Sequence, residues 1–243
     1  MTPSVIITMA GKGSRFSDAG YKTPKHLIKA KGRPLIEWSL ISLKSFFKTW
    51  QFVFIALKAR NDVPTITDYC KKLGISKYVI HEIDTVTTGQ AETAKYAKKY
   101  VDGSSPVLIY NIDTFVEPGH INPDDFGQFA GFLHVFKAPG DHWSFIGLDD
   151  VGRVTAVKEK TRISDLCSIG TYFFNSFDLF EATLDSYRQD ISSELYLAPM
   201  YNYLLAAENG GVGFKVIDSQ YVYVLGTPAE VEKFDSEVRQ NNE

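Results

Sequence analysis

What this chain lacks narrows its reading first. It has two cysteines, Cys70 and Cys167, nearly a hundred residues apart, which is too few for a disulfide framework and the wrong spacing for a cysteine metal cluster. It has no surplus of either charge: 26 basic against 29 acidic side chains leave a formal charge of −3, so no broad positive field exists to hold nucleic acid or an anionic membrane. No apolar run approaches the roughly 18 residues a membrane span requires, and Ser4-Val5-Ile6-Ile7-Thr8-Met9 follows the first residues without a basic leader or cleavage site. These absences lead us to expect a cytoplasmic chain with no nucleic-acid or membrane partner, one that meets any anionic ligand with a few well-placed cations. With 243 residues, 44% of them hydrophobic and 23% charged, it has the means to build a full-sized core.

Along the chain, apolar runs of strand length alternate with helix-period segments. Val5–Met9, Phe52–Leu57, Tyr78–Ile83 and Val107–Tyr110 read as strands, while Pro34–Lys48, Pro64–Leu73 and Gln90–Tyr100 read as helices. Val107-Leu108-Ile109-Tyr110 lacks apolar/polar alternation, as a strand covered on both faces does. Pro34 and Pro64 suit first-turn positions, and Gly74 suits a C-cap. This βαβ rhythm predicts an α/β fold with a doubly wound, mostly parallel sheet. After Asp113 the rhythm loosens. Ser144–Leu148 and Val154–Lys158 flank a turn at Asp149–Arg153, Ile169–Phe174 is a further strand, and Phe177–Tyr187 and Leu197–Glu208 are helical. Strands at Val212–Ile217 and Tyr221–Leu225 precede a polar helix at Glu230–Arg239. We expect one domain over 1–243 with a mixed sheet, dividing at 113 into the halves 1–113 and 114–243.

Chemistry concentrates in Met9-Ala10-Gly11-Lys12-Gly13-Ser14-Arg15-Phe16, directly after the first strand, and in Thr23-Pro24-Lys25 soon after. Two glycines let backbone N–H groups approach phosphate oxygens, and Lys12, Arg15 and Lys25 add positive charge. The stretch is neither a P-loop, because the required first glycine would fall at Ile6, nor a dinucleotide fingerprint, because Phe16 stands at the third glycine. Taken alone, such a loop also serves as a tight surface turn.

Ala10–Phe16, then Lys22-Thr23-Pro24-Lys25-His26-Leu27-Ile28, then Gly32-Arg33-Pro34-Leu35-Ile36-Glu37-Trp38 resemble, in order and spacing, the opening of the sugar nucleotidyltransferases (NDP-sugar pyrophosphorylases). They also resemble the related phosphocholine cytidylyltransferases, so the chain is similar to the short single-domain members with a Rossmann-like, GT-A-like fold. The resemblance implies that Ala10, Gly11, Gly13 and Ser14 cradle a nucleoside triphosphate, that Arg15 contacts the departing pyrophosphate, and that Lys25 stabilises charge at the α-phosphorus. Thr88-Gly89-Gln90-Ala91-Glu92-Thr93-Ala94 is similar to the family's base-holding loop, which implies nucleotide contacts from Gly89, Gln90 and Ala91. Leu108–Asp113 is similar to the strand that ends in the metal-binding aspartate, so Asp113 is implied as a Mg²⁺ ligand; the bland reading is a turn-capping aspartate. Glu159 and Lys160, Gly170 in Gly170-Thr171-Tyr172, and Glu194 in Ser193-Glu194-Leu195-Tyr196-Leu197 are similar to acceptor-side landmarks. Glu159-Lys160 also reads as part of a solvated charge run.

One position departs from the family. A second metal-binding aspartate usually stands two residues before the Gly-Thr-Pro glycine, where this chain has Val224. That leaves Asp113 with phosphates and water, a substitute such as Asp218, or nucleotide binding without efficient turnover.

The resemblance implies condensation of an NTP with a sugar phosphate and release of pyrophosphate, for capsule, lipopolysaccharide or other surface-glycan assembly. A small non-sugar acceptor such as phosphocholine is an alternative, since Trp143, Phe145, Tyr172 and Tyr196 could box a quaternary amine or simply pack in the core. A nucleotide-binding regulatory protein is a second alternative. A glycosyltransferase fits less well, because Asn111-Ile112-Asp113 supplies no acidic pair. The five histidines have no motif around them, and from the length we expect no C-terminal β-helix of the kind larger family members carry.

Overall fold

A computed structural model describes residues 2–190, 194–207 and 211–237. Ser193, Glu208 and the end of the last expected helix at 238–239 lie outside the described residues.

The chain begins with β1 (Ser4–Thr8), α1 (Ser14–Asp18), the two-residue strands β2 (Lys29–Ala30) and β3 (Arg33–Pro34), and α2 (Leu35–Ser42). It continues through β4 (Gln51–Leu57), α3 (Val63–Leu73), β5 (Tyr78–Ile83), α4 (Gln90–Lys95), β6 (Val107–Tyr110) and β7 (Thr114–Val116). The later elements are β8 (Gly131–Lys137), β9 (Ser144–Leu148), β10 (Val154–Glu159), β11 (Leu166–Phe174), α5 (Phe177–Asp190), α6 (Tyr201–Ala206), β12 (Val212–Val216), β13 (Val222–Val224) and α7 (Pro228–Glu237).

The main sheet is ordered β10-β9-β11-β6-β1-β4-β5, with β8 and β12 joined to β11's other pairing. β6, β1, β4 and β5 run parallel, and β11 closes antiparallel on β6, so one sheet runs through both halves of the chain. Because successive strand residues face opposite ways, the continuous apolar runs feed two cores. Val5, Ile7, Phe52, Phe54 and Leu108 meet Ile36 and Leu40 of α2 and Ile66 and Cys70 of α3 on one face. Ile6, Val53, Ile55 and Ile109 meet Ala91 and Ala94 of α4 and Phe180 and Leu184 of α5 on the other. Each fully buried Val, Ile, Leu or Phe among them contributes roughly 1.5–3 kcal/mol, so the doubly wound arrangement follows directly from strands that are apolar on both sides.

Punctuation mostly matches expectation. Gly74 caps α3 in the left-handed region at φ 73°, and Asp149–Arg153 forms the hairpin turn, with Gly152 at φ 82°. Pro34 is an exception: it precedes the first turn of α2 in extended backbone and serves as its N-cap. Three expected helices are shorter than their apolar pattern. α2 gives way to a 3₁₀ turn at Lys44–Phe46, α4 to another at Tyr96–Lys99, and the expected Leu197–Glu208 helix opens as a 3₁₀ turn at Ala198–Met200 before α6. The Tyr221–Leu225 strand pairs with β7 and stays out of the main sheet. β8 was not anticipated: its run is interrupted by His134, which is buried and satisfied by Thr171 and Asp125.

Candidate active site

The C-terminal ends of β1, β4 and β6 open into a cavity of about 890 Å³, where open parallel sheets place their ligands. Its triphosphate-like end is the loop after β1. Gly13 takes φ 70° and caps α1, while Phe16, buried with Leu35, Phe115, Leu225 and Phe234 in a third small core, anchors that helix. A Cβ added at Gly13 would sit 3.4 Å from Lys25 Cβ, so the loop and the Lys25 turn are in contact. Gly11, Lys12, Gly13, Ser14, Arg15 and Lys25 all line the cavity. Ala10 and Ala91 are buried in the core and line neither this cavity nor the smaller one beside it.

Lys25 Nζ donates to Asp113 Oδ2, both side chains being about one-fifth exposed (20% and 23%). Asp113 Oδ1 is buried without a hydrogen-bond partner. Leu225 N–H bonds the Asp113 carbonyl at 2.7 Å, which fixes β13 beside the aspartate. That brings Val224 to the lining of a second, smaller cavity of about 140 Å³, shared with Arg15, Asp113, Gly170 and Glu230. Asp218, the substitute ligand considered above, is exposed, accepts from Gln220 N–H and lines neither cavity.

The loop that enters α4 is tied down at both ends. Gln90 Nε2 donates to Thr8 Oγ1 at the tip of β1 (3.1 Å). The Thr88 hydroxyl and N–H bond Glu92 at 2.7 and 2.6 Å, which holds that carboxyl below its ordinary pKa. Ala91 N–H bonds Leu195 O, and Leu195 N–H bonds Thr88 O. A Cβ at Gly89 would lie 2.5 Å from Leu195 O, so only glycine permits this approach.

At the far end stand Glu159, Lys160, Glu194 and Tyr196. Lys160 adopts φ 52°; its Nζ donates to Tyr196 OH at 2.7 Å, and Tyr196 OH donates to Glu194. Burial pushes the Glu159 carboxyl above its ordinary pKa, and a hydrogen bond from Ser144 opposes the shift. Gly170 lies at φ 87° within an irregularity of β11, and a Cβ there would come within 2.1 Å of Asn111 Nδ2. Glycine thus makes room for Asn111, whose Oδ1 is buried and unpartnered. Of the aromatic residues considered for an amine box, Trp143 and Tyr172 line the smaller cavity and Tyr196 the larger, whereas Phe145 is core.

Sequence reading assigned no role to Thr8, Arg60, Asn111, His142 or Glu230, all of which line the cavities. Asn111 stood inside a recognised motif; Arg60 and Glu230 carried no local signal. Among the described residues no group of three His, Cys, Asp or Glu side chains converges as a metal site.

A glycine loop after the first strand of a doubly wound sheet, cations beside it and a carboxylate at the end of β6 define an α/β nucleotide-binding protein. The fold and sequence together are more specific. A nucleoside-diphosphate-sugar pyrophosphorylase from Vibrio cholerae RC9 is 35% identical, with a TM-score of 0.88, over 96% of this chain and 100% of that one. The chain belongs to this family of sugar nucleotidyltransferases. An inositol-1-phosphate CTP transferase from T. maritima shares the fold at 16% identity and a TM-score of 0.72, over 98% of this chain and 97% of that one. A low-salt glycan biosynthesis nucleotidyltransferase from Haloferax volcanii is 24% identical over 196 residues, or 76% of this chain and 54% of that protein. The chain spans about half the length of the curated relatives it matches. No family model matches it. No helix among the described residues is long and apolar enough to cross a membrane.

Proposed function

We propose that the protein condenses a nucleoside triphosphate with a sugar phosphate, releasing pyrophosphate and forming an activated sugar for glycan assembly in the cytoplasm. The observation that carries this reading is the polarity of the larger cavity. Lys12 and the glycine loop occupy one end, and Glu159, Lys160, Glu194 and Tyr196 the other, with the Lys25–Asp113 pair between them and Arg15 reaching the smaller cavity that it shares with Glu159. A polyanion suits the first end and a hydroxyl-rich acceptor the second.

An oxygen of the acceptor phosphate attacks the α-phosphorus in line. The new P–O bond forms as the bond to the bridging β-phosphate oxygen breaks, and the electron pair leaves with pyrophosphate. Both reactants are anions, so the protein's work is alignment and charge neutralisation. Arg15 receives charge on the leaving group, Lys25 steadies the α-phosphoryl oxygens, and Lys160 draws the acceptor phosphate. Glu159 and Glu194 accept hydrogen bonds from acceptor hydroxyls.

The residues present suit Mg²⁺. Asp113 Oδ1 and Glu230 Oε2 are both buried without partners, and a Cβ at Gly226 would lie 3.4 Å from Asp113 Oδ2 and 3.5 Å from Glu230 Oε2. Two carboxylates completed by phosphate oxygens and water form a donor set this hard cation accepts, with Glu230 standing in where Val224 cannot ligate. When bound, the ion neutralises phosphate charge at the reacting centre.

A second reading, transfer to a small non-sugar phosphate such as phosphocholine, is favoured by Phe136, Trp143 and Tyr172 around the smaller cavity. Pyrophosphate release measured with ATP, CTP, GTP and UTP against a panel of sugar phosphates and phosphocholine separates the readings. Silence with every sugar phosphate overturns the first, and tight NTP binding without turnover for any acceptor supports a regulatory role.

A further inference from the structure

Arg60 and Asp62 stand at the end of β4, beside the cavity yet outside every motif discussed above. The turn that carries them is a 3₁₀ segment, Lys58–Arg60, followed by Asn61 at φ 53° and then α3. β4 lies next to β1 in parallel register, so this turn sits alongside the phosphate loop although some fifty residues separate them.

Each of its two side chains reaches a different functional segment. Arg60 Nη1 donates to Met9 O at 2.8 Å, and Nη2 donates to Gly11 O at 2.6 Å. In a trans peptide the C=O and the following N–H point in opposite directions, so holding these carbonyls turns the N–H groups of Ala10 and Lys12 away from the guanidinium. The bidentate fork of arginine fits two acceptors at once, which an ammonium does not. Asp62 occupies the N-cap position of α3, where an aspartate ordinarily accepts from the first-turn N–H groups, yet it makes no such bond. Its Oδ1 instead meets His26 Nε2 at 2.9 Å, with both side chains almost completely buried (1% and 2% exposed). His26 directly follows Lys25 in the 3₁₀ turn Lys25–Leu27. The pair leaves His26 Nδ1 and Asp62 Oδ2 buried and unpartnered, a costly arrangement for stability alone.

We propose that the turn Lys58–Asp62 is a two-armed support, Arg60 positioning the phosphate loop and Asp62, through His26, positioning Lys25. The inference rests on the reading of the cavity as a triphosphate site. The arms act at different stages. The Arg60 arm shapes the surface that binds the triphosphate, whereas the Asp62 arm aims the lysine that acts on the α-phosphoryl group during transfer.

Calorimetric titration with ATP, CTP, GTP and UTP, together with pyrophosphate-release kinetics and thermal unfolding, tests this on the wild type and on Arg60→Met, Arg60→Lys, Asp62→Asn and Asp62→Ala. For the nucleotide that the wild type binds best, Arg60→Met raises Kd about tenfold, the equivalent of a lost hydrogen bond or two. Arg60→Lys falls between it and wild type, and kcat changes by less than about threefold in both. Asp62→Ala lowers kcat about tenfold, with Kd within about threefold of wild type, and Asp62→Asn falls between. If Arg60→Met does not fold, the Arg60→Lys comparison carries the first arm. Wild-type Kd and kcat in the variants, or losses in both parameters that simply follow the fall in Tm, overturn the inference alone. A wild type that binds none of the four nucleotides overturns the functional reading and the support role with it.

Discussion

Under the proposed function, the two ends of the cavity are built by different means. The phosphate end rests on backbone: a glycine loop, a helix anchored by Phe16, and carbonyls held by Arg60, all on the parallel half of the sheet. The acceptor end rests on side chains reaching in from antiparallel strands and connecting loops, with Lys160, Tyr196 and Glu194 linked among themselves and Glu159 held by Ser144. Backbone recognises what all triphosphates share, whereas side chains can be exchanged one at a time. The phosphate end should therefore tolerate little change and the acceptor end should set specificity.

The most severe test of that contrast is Lys25→Ala. We expect kcat/KM to fall roughly 10²–10³-fold, with Tm nearly unchanged, because a partly exposed ion pair adds little to stability. A large fall in Tm would place Lys25 among the structural residues and blur the division. Asp113→Asn comes next, with a loss of about a hundredfold and a flattened response to added Mg²⁺. Chelation with EDTA should silence the wild type equally, and turnover that persists in EDTA would remove the metal from this reading.

Glu159→Gln probes the other end, raising the acceptor KM about tenfold while sparing the NTP KM. Because burial raises the Glu159 pKa, the carboxylate is lost on acidification at a higher pH than for an exposed glutamate. The acceptor KM of the wild type should accordingly climb as pH falls toward that raised value, and the variant should show a flat profile; parallel profiles would separate Glu159 from the acceptor. The same shift has a stability consequence of opposite sense. A carboxyl whose folded pKa is raised favours the fold at low pH, and that contribution is lost as pH rises through the folded pKa. Tyr196→Phe is the mildest change: it removes the hydroxyl joining Lys160 to Glu194 and should raise the acceptor KM about threefold. An equal effect on the NTP KM would show that the two ends are not separable.

Legibility in the sequence follows the same division. β1, β4 and β6 announce themselves as uninterrupted apolar runs because both faces are covered, and the glycine loop is visible because its residues are contiguous. β8 is hidden by His134, whose partners come from two other segments. Arg60 and Glu230 are invisible because what places them is strand order and helix packing: β4 lies beside β1, and α7 packs near Asp113 across Gly226. Local patterns report on neighbours in the chain, and support residues are neighbours only in space. Asp218 shows the converse, a carboxylate near in sequence to Val224 that the turn holds out in solvent.

The backbone ladder between Thr88–Ala91 and Leu195 limits how this scaffold can be re-engineered. Glu194 and Tyr196 flank Leu195, whose backbone is bonded to the 88–91 segment, so the two loops form a single transplantable unit. Grafting the 194–196 segment onto a relative requires a glycine at the position of Gly89, since any side chain there meets the Leu195 backbone at 2.5 Å. New acceptors are better sought on β10 and β11, where side chains change without redrawing that seam.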